Sequence, residues 1–240
     1  RGLGDVYKRQ VLVNAEGEII GQSSSPLDCH YPQPGWVEQD PLQIWETQRL
    51  TMLDVMKKTN FSIENVVGLG ITNQRETTVV WEKASGKPLA PAIVWQCRRS
   101  TAICEQLKAD GKESLIRKKT GLVLDPYFSA SKMRWLLNEV PGLNVRMKAG
   151  EICFGTVDSW LIWNMTAGNE SKTDVTNASR TMLCNLESAS WDEELLAIFG
   201  IELSALPEIV PSSGKLAEID NSILGKPLPI AGIAGDQQSA

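Results

Sequence analysis

Two short apolar runs, each followed at once by polar or charged side chains, constrain the fold of this chain more than any other feature. Residues 66–72 have the composition of a buried strand and lead into the adjacent pair Arg75 and Glu76. Residues 229–234 form a second small, apolar run that leads to Asp236. Segments with helical patterns lie between such runs, and strands that alternate with helices are typical of the α/β class. The sequence therefore predicts an α/β fold.

The Arg75–Glu76 pair is the first candidate for chemistry. Arg carries a rigid fork of donors, whereas an ionised Glu only accepts hydrogen bonds. A small polyol needs both kinds of partner, because each of its hydroxyl groups donates and accepts. The ordinary alternative is a surface ion pair that contributes little, which is the commoner role of an adjacent Arg and Glu.

Asp236 is the candidate catalytic residue. Ligands of open α/β sheets bind near the carboxyl ends of the strands, and Asp236 follows such a strand directly. Gly232 and Gly235 on either side of Ala234 let a substrate approach the backbone closely. The position alone is equally typical of an aspartate that caps a helix N-terminus.

Local signals predict several of the elements. Residues 11–13 and 18–20 form a hairpin around a Gly-containing turn, and Asp40 with Pro41 starts a helix that runs to about Lys58. A helix is expected at residues 158–165, and another at 191–199 that Gly200 closes. Residues 1–10 lack a hydrophobic period and are interpreted as a leader outside the fold.

Composition excludes several classes of protein. A chain of 240 residues can form one large domain or two small ones. The net charge of -5 and the lack of a basic, aromatic-rich cluster argue against nucleic acid as a partner. No apolar run is long enough to insert into a membrane. The five scattered cysteines indicate reduced thiols in a cytoplasmic protein, and the single His30 has no second imidazole with which to bind a metal.

Several ordered blocks of sequence resemble one known family, from about Val11 to the last residue. The chain is similar to the FGGY family of carbohydrate kinases, and in particular to its members that phosphorylate glycerol. The blocks that carry the resemblance are residues 31–41, 70–78, 93–99, 121–132, 154–163, 173–183 and 232–240.

The resemblance implies a ribonuclease-H-like, or actin-like ATPase, domain with a mixed sheet flanked by helices. It implies an ATP- and Mg²⁺-dependent phosphotransferase that converts glycerol to sn-glycerol 3-phosphate, and a homo-oligomer for the complete enzyme. Residues 11–240 would be the glycerol-binding N-terminal domain. The family's Gly-Thr-Thr phosphate loop and its nucleotide-binding C-terminal domain are not found, so we expect this chain to be inactive alone.

The resemblance also assigns roles to single residues. Asp236 corresponds to the catalytic base and Gln237 to a residue that orients a substrate hydroxyl. Arg75 and Glu76 correspond to the glycerol-binding pair, Tyr127 to a hydroxyl contact and Trp95 to an aromatic wall. For Trp95 and Tyr127, ordinary packing is the alternative. Asp158 and Arg180 also lie in family-like blocks, and we interpret them as a helix cap and an ion-pair partner.

Two alternatives stay open at this stage. One is an FGGY kinase for another polyol or a ketose, although Trp95 leaves less room than a larger sugar would need. The other is a polyol-binding module without catalysis.

Overall fold

The structure is a computed structural model that describes residues 7–240. Its strands are β1 (Tyr7–Val13), β2 (Ile19–Pro26), β3 (Glu38–Gln39), β4 (Leu69–Asn73), β5 (Val79–Glu82), β6 (Ala92–Ile93), β7 (Ile152–Gly155), β8 (Lys172–Asp174), β9 (Cys184–Asn185), β10 (Ser190–Trp191), β11 (Glu208–Val210), β12 (Ser213–Ile219) and β13 (Leu228–Gly235). Its helices are α1 (Pro41–Thr59), α2 (Thr101–Ala109), α3 (Glu113–Thr120), α4 (Ser129–Glu139), α5 (Leu143–Lys148), α6 (Val157–Met165), α7 (Val175–Ala178), α8 (Glu193–Phe199) and α9 (Asn221–Leu224). The predicted α/β class is confirmed.

The sheet that positions the candidate site contains β12, β13 and β4 in that order. Strand β13 runs antiparallel to β12 and parallel to β4, so this sheet is mixed. The register places Gly235 opposite Asn73. The two predicted apolar runs therefore end side by side, and the polar residues that follow them leave the sheet at the same edge.

The remaining pairings are short. The β1–β2 hairpin, β9–β10, β3–β6 and β5–β7 are antiparallel, and β8–β11 is parallel. The apolar side chains form two buried clusters. Strand β5 contributes to both, since Val79 lies in one cluster and Val80 in the other. Because side chains alternate along a strand, consecutive residues face opposite sides.

Local sequence explains where the helices begin and end. The Asp40 carboxylate accepts a hydrogen bond from the amide of Leu42 at 2.9 Å, and Pro41 occupies the first helical position of α1. Asn60 ends that helix in the left-handed conformation. Asp192 caps α8 through the amides of Glu194 and Leu195, and Gly200 closes it with a positive φ.

Several boundaries differ from the sequence expectation. Strand β1 begins at Tyr7, so residues 7–10 of the expected leader belong to the hairpin, while residues 1–6 lie outside the described part of the chain. Trp191 was expected in a helix but pairs with Cys184 in a two-residue strand. Asp192 is the reason, because its capping hydrogen bonds fix the start of α8 after Trp191.

The prediction that Asp158 caps a helix is wrong. Its carboxylate accepts hydrogen bonds from the hydroxyls of Thr156 and Thr173, and no side chain caps α6. All five cysteines are free thiols. Among residues 7–240, no helix is both long and apolar enough to cross a membrane.

Candidate active site

A tight turn at the end of β4 carries Arg75 and Glu76. The amide of Thr77 donates to the carbonyl of Arg75 at 2.7 Å, and Glu76 between them has a φ of 60°. A hydrogen bond across one residue with positive φ makes this a γ-turn of the strained kind. The side chains of Arg75 and Glu76 are only 4% and 2% exposed. The alternative of a surface ion pair is therefore excluded.

Arg75 reaches across the end of β13. A Cβ on Gly235 would lie 2.3 Å from Cδ of Arg75 and 2.7 Å from its Cγ, so only glycine leaves room for this side chain. Nη1 of Arg75 donates to the side-chain oxygen of Gln238 at 3.3 Å. Its Nε lies 3.5 Å from Oδ1 of Asp236, and this buried nitrogen has no hydrogen-bond partner among the described residues.

The close hydrogen-bond partner of the Glu76 carboxylate is Arg180, not the adjacent Arg75. Nη2 of Arg75 is 4.0 Å from Oε1 of Glu76, whereas Nε of Arg180 donates to the same oxygen at 2.8 Å. Burial raises the pKa of Glu76, and the charges of Arg180, Arg75 and Lys132 oppose that rise. The expectation that Arg180 is an ion-pair partner is confirmed, and the ion pair lies inside the candidate site.

Two aromatic side chains lie beside this pair. The rings of Trp95 and Tyr127 are both half-buried, with their centroids 5.4 Å apart and their planes inclined by 59°. The amide of Trp95 contacts the hydroxyl of Thr77, directly after the Arg75–Glu76 turn. Burial raises the pKa of Tyr127, and the negative charges of Glu76 and Asp236 act in the same direction. Tyr127 therefore shares one electrostatic environment with the charged residues.

Lys132 holds the backbone at the aromatic residues and is a site residue that the sequence patterns do not predict. Its side chain is fully buried in α4, and its ammonium donates to the backbone carbonyls of Tyr127 and Phe128. Burial lowers the pKa of Lys132 to about 7, against the charge of Glu76. The only sequence signal was a lysine within an otherwise apolar and small-residue stretch of helix.

Asp236 and Gln237 follow β13 at the edge of the same site. The amide of Asp236 donates to the carbonyl of Asn73 at 3.0 Å, which continues the pairing of β13 with β4. The Asp236 side chain is 51% exposed, in contrast to Arg75 and Glu76. Gln237 is exposed, and its side chain makes no hydrogen bond to the other residues that the structure describes. Gln238 contacts Arg75 instead.

A buried polar network fixes the strand ends beneath the site. Both carboxylate oxygens of Asp174 accept hydrogen bonds, from the amides and side chains of Thr176 and Asn177 and from Ser212. The hydroxyl of Thr176 accepts from the amide of Gly235 at 2.8 Å. Asn177 also bonds the side chain of Asn73. The network therefore ties α7 to the ends of both strands.

The structure thus brings together Arg75, Glu76, Trp95, Tyr127 and Asp236. The arrangement offers buried donors, a buried acceptor, an apolar wall and a half-exposed carboxylate. Such a combination suits a small polar molecule with both C–H and O–H surfaces.

Comparison with known proteins identifies the family. The sequence pattern of the N-terminal domain of the FGGY family of carbohydrate kinases matches residues 3–240. The chain belongs to the FGGY family of carbohydrate kinases. The match to the family begins within residues 1–10, the expected leader.

Two curated relatives in this family show how close the similarity is. The chain is 52% identical to a glycerol kinase of Thermus brockianus over 230 residues, which cover 96% of this chain and 46% of that protein. It is 52% identical to a glycerol kinase of Aeromonas salmonicida over 237 residues, which cover 99% of this chain and 47% of the relative. The chain therefore spans about half the length of the curated relatives it matches.

Solved structures of the FGGY family share the fold. A Plasmodium falciparum glycerol kinase with ADP superposes with a TM-score of 0.91 at 34% identity, over 98% of this chain and 47% of that one. A xylulose kinase from Brucella ovis superposes with a TM-score of 0.89 at 23% identity, over 98% of this chain and 48% of the other. The expected actin-like ATPase fold is confirmed.

Proposed function

We propose that the protein carrying this chain is an ATP-dependent kinase that phosphorylates glycerol to sn-glycerol 3-phosphate. Residues 11–240 would supply the acceptor site as the N-terminal domain. The observation that carries the proposal is the buried Arg75–Glu76 turn, which the fold sets beside Asp236 and the Trp95–Tyr127 wall. The similarity to glycerol kinases at about half identity supports glycerol over other acceptors.

The residues present match the chemistry of glycerol. Arg75 donates through nitrogens that include Nε, which has no hydrogen-bond partner within residues 7–240, and Glu76 accepts the hydrogens that Arg75 cannot. The faces of Trp95 and Tyr127 would cover the C–H side of the carbon chain. Since both charged groups are buried, a ligand that lacked a hydroxyl would leave one of them unsatisfied, which costs about 1–3 kcal/mol.

Asp236 is the proposed general base. Its carboxylate is half-exposed and lies 3.5 Å from Nε of Arg75, so a hydroxyl held by Arg75 would be close to it. Phosphoryl transfer depends on positioning and charge neutralisation more than on a strong base. The amide of Gln237 donates to Oδ1 of Asp236 at 2.9 Å. The Gln237 side chain, which makes no hydrogen bond within residues 7–240, would orient the same hydroxyl after a change of rotamer.

ATP would supply the transferred phosphoryl group, with Mg²⁺ to neutralise its phosphate oxygens. Within residues 7–240, no group of three His, Cys, Asp or Glu side chains could hold a metal ion. Magnesium is commonly bound by one or two carboxylates together with substrate phosphates, and the half-exposed carboxylate of Asp236 fits that arrangement. The free thiols support a reducing, cytoplasmic setting.

A binding titration and a kinase assay test the proposal together. We expect glycerol to bind this chain by calorimetry and Arg75→Ala to weaken the binding by roughly 5- to 150-fold. In the full-length protein, a coupled assay with a panel of polyols and ketoses should give the highest kcat/KM for glycerol. Preference for a ketose would identify a different kinase of the family. Glycerol binding without turnover in the full-length protein would indicate a binding module.

A further inference from the structure

The carboxylate of Glu76 is oriented by a residue that lies 104 positions away in the chain. Nε of Arg180 donates to Oε1 of Glu76 at 2.8 Å, while the adjacent Arg75 approaches the same oxygen only to 4.0 Å. A hydrogen bond between two charged groups is stronger and more directional than a longer ion pair. Arg180 therefore determines the carboxylate's orientation more than Arg75 does.

We propose that Arg180 is a positioning residue of the acceptor site, which holds Oε1 of Glu76 so that the carboxylate points at a substrate hydroxyl. The inference rests on the proposed function of Glu76 as the hydroxyl acceptor. It assigns Arg180 a role in substrate affinity, whereas the sequence indicated a structural ion pair.

Arg180 is itself firmly held, as a positioning residue must be. Its guanidinium carbon lies 4.9 Å from the ring centre of Phe128 and 6.0 Å from that of Tyr127. The next residue, Thr181, accepts a hydrogen bond at its carbonyl from the amide of Ala130 in α4. Arg180 is thus held beside Tyr127 and Phe128, just before α4, and it connects Tyr127 of the aromatic wall to Glu76.

The environment of the pair makes the interaction stronger than a surface ion pair. The Glu76 side chain is 2% exposed and that of Arg180 is 27% exposed, so the carboxylate has little access to water. Removing one partner of a buried pair leaves the other charge less well compensated, and without Arg180 only the charges of Arg75 and Lys132 would act on Glu76. Neither Arg75 at 4.0 Å nor Lys132, which donates to backbone carbonyls, can replace the hydrogen bond of Arg180.

The inference predicts a specific pH dependence. The charged or titratable groups around Glu76 are Arg75 beside it, Arg180 after α7, Tyr127 just before α4 and Lys132 within α4. Asp236 is linked to them through Arg75. Burial raises the pKa of Glu76, and the hydrogen bond from Arg180 is the largest effect that opposes the rise. Loss of Arg180 therefore moves protonation of Glu76 to higher pH, and a protonated carboxyl is a poorer acceptor.

The test measures KM for glycerol, kcat and melting temperature of the full-length protein from pH 5 to 9. Three forms are compared with the parent: Arg180→Gln, Arg180→Lys and Arg146→Gln. Arg146 is the matched control, since it is about as exposed as Arg180 and pairs with Glu82 and Glu151 outside the site. For Arg180→Gln we expect KM to rise about tenfold to a hundredfold at neutral pH, with kcat changed much less.

The acid limb of kcat/KM should also move to higher pH in Arg180→Gln. Arg180→Lys should retain the parent's acid limb, because the charge remains, but should raise KM, because an ammonium on a flexible stem cannot reproduce the fixed Nε geometry. If Arg180→Gln does not fold, the KM of Arg180→Lys tests the positioning role of Arg180. A KM within twofold of the parent in the variant that folds would overturn the proposal.

Two further outcomes separate this inference from others. If Arg180→Gln loses only melting temperature, as Arg146→Gln does, with an unchanged pH profile, Arg180 is structural and the inference fails. If the parent itself neither binds nor turns over glycerol, the proposed function fails first. Calorimetric binding of glycerol to the parent distinguishes these two failures.

Discussion

At the scale of single residues, the site depends on backbone that most side chains avoid. Glu76 adopts a φ of 60° within a turn closed by the amide of Thr77. Non-glycine residues with positive φ cost about 1–3 kcal/mol and persist only where surrounding contacts enforce them. Here the enforcing contacts are the hydroxyl of Ser129, which bonds the Glu76 carbonyl, and Nε of Arg180 on its carboxylate.

Gly235 provides the first residue-scale prediction. We expect Gly235→Ala to raise KM for glycerol at least tenfold, because the new methyl group would lie 2.3 Å from Cδ of Arg75 and displace the guanidinium. Gly232→Ala on the same strand is the matched control. Its Cβ would meet no heavy atom closer than 3.8 Å, so its KM should stay near that of the parent. Equal effects of the two substitutions would contradict this explanation.

The second residue-scale prediction concerns Asp236. In the full-length protein, Asp236→Asn should lower kcat by about 10²- to 10⁴-fold, because the amide keeps the shape but cannot take a proton. The KM for glycerol should change only a few-fold, since Arg75 and Glu76 stay in place. Steady-state kinetics at saturating ATP provide the measurement. A variant with near-normal kcat would remove Asp236 from the role of base.

At the scale of elements, a polar network fixes the carboxyl ends of β4 and β13 side by side. Asp174 organises this network through Thr176, which bonds the amide of Gly235, and Asn177, which bonds Asn73. Asp158 lies close by at the start of α6, where burial raises its pKa to about 6 and the charge of Asp174 adds to the effect. Buried networks of this kind fix the relative position of elements when every member is satisfied.

Asp158 provides a prediction for pH-dependent stability. Its folded-state pKa of about 6 lies above the unfolded value of about 3.9, so the carboxyl contributes stability below about pH 4 and loses it as the pH rises through 6. Asp158→Asn cannot titrate. Its free energy of unfolding, relative to the parent, should therefore improve by about 1–3 kcal/mol between pH 4 and pH 7.

Urea denaturation at several pH values gives the comparison for Asp158. The matched control is Asp110→Asn, since Asp110 is exposed at the end of α2. The difference between that variant and the parent over the same range is the baseline for the comparison. A pH-independent difference for Asp158→Asn would show that the carboxyl does not titrate in this range.

At the scale of the whole molecule, the candidate site lies where the two hydrophobic clusters meet. The Arg75–Glu76 turn connects β4, whose Ile71 packs in one cluster, to β5, which contributes to both. A ligand that contacts this turn, the aromatic wall and the end of β13 therefore bridges elements from both clusters. Because ligand binds the folded state alone, its binding stabilises the whole cooperative unit.

Glycerol should therefore raise the melting temperature of this chain in two distinguishable ways. A saturable rise should follow site occupancy, and a linear rise at high concentration should follow the general effect of an excluded osmolyte. Arg75→Ala should shift the saturable part to roughly 5- to 150-fold higher glycerol concentration and retain the linear part. Ethylene glycol lacks one hydroxymethyl group of glycerol and serves as the ligand control in the parent. A purely linear response in the parent would argue against a specific glycerol site.

The sequence by itself determined the features that depend on neighbours in the chain. Asp40 and Pro41 start α1 as predicted, because a cap and a fixed φ act within one turn. The apolar runs before Arg75 and Asp236 identified β4 and β13, because a buried strand requires several apolar residues in succession. The family-like blocks also named Trp95 and Tyr127, and the structure places them together.

Only the tertiary structure decided which charged groups meet. Glu76 takes its close hydrogen bond from Arg180, 104 residues away, and Lys132 supports Tyr127 from the buried side of α4. The neighbouring Arg75 stays 4.0 Å from Glu76 despite its position in the sequence. Ion pairs depend on distance and burial after folding, and both are set by the packing of segments that are remote in the chain.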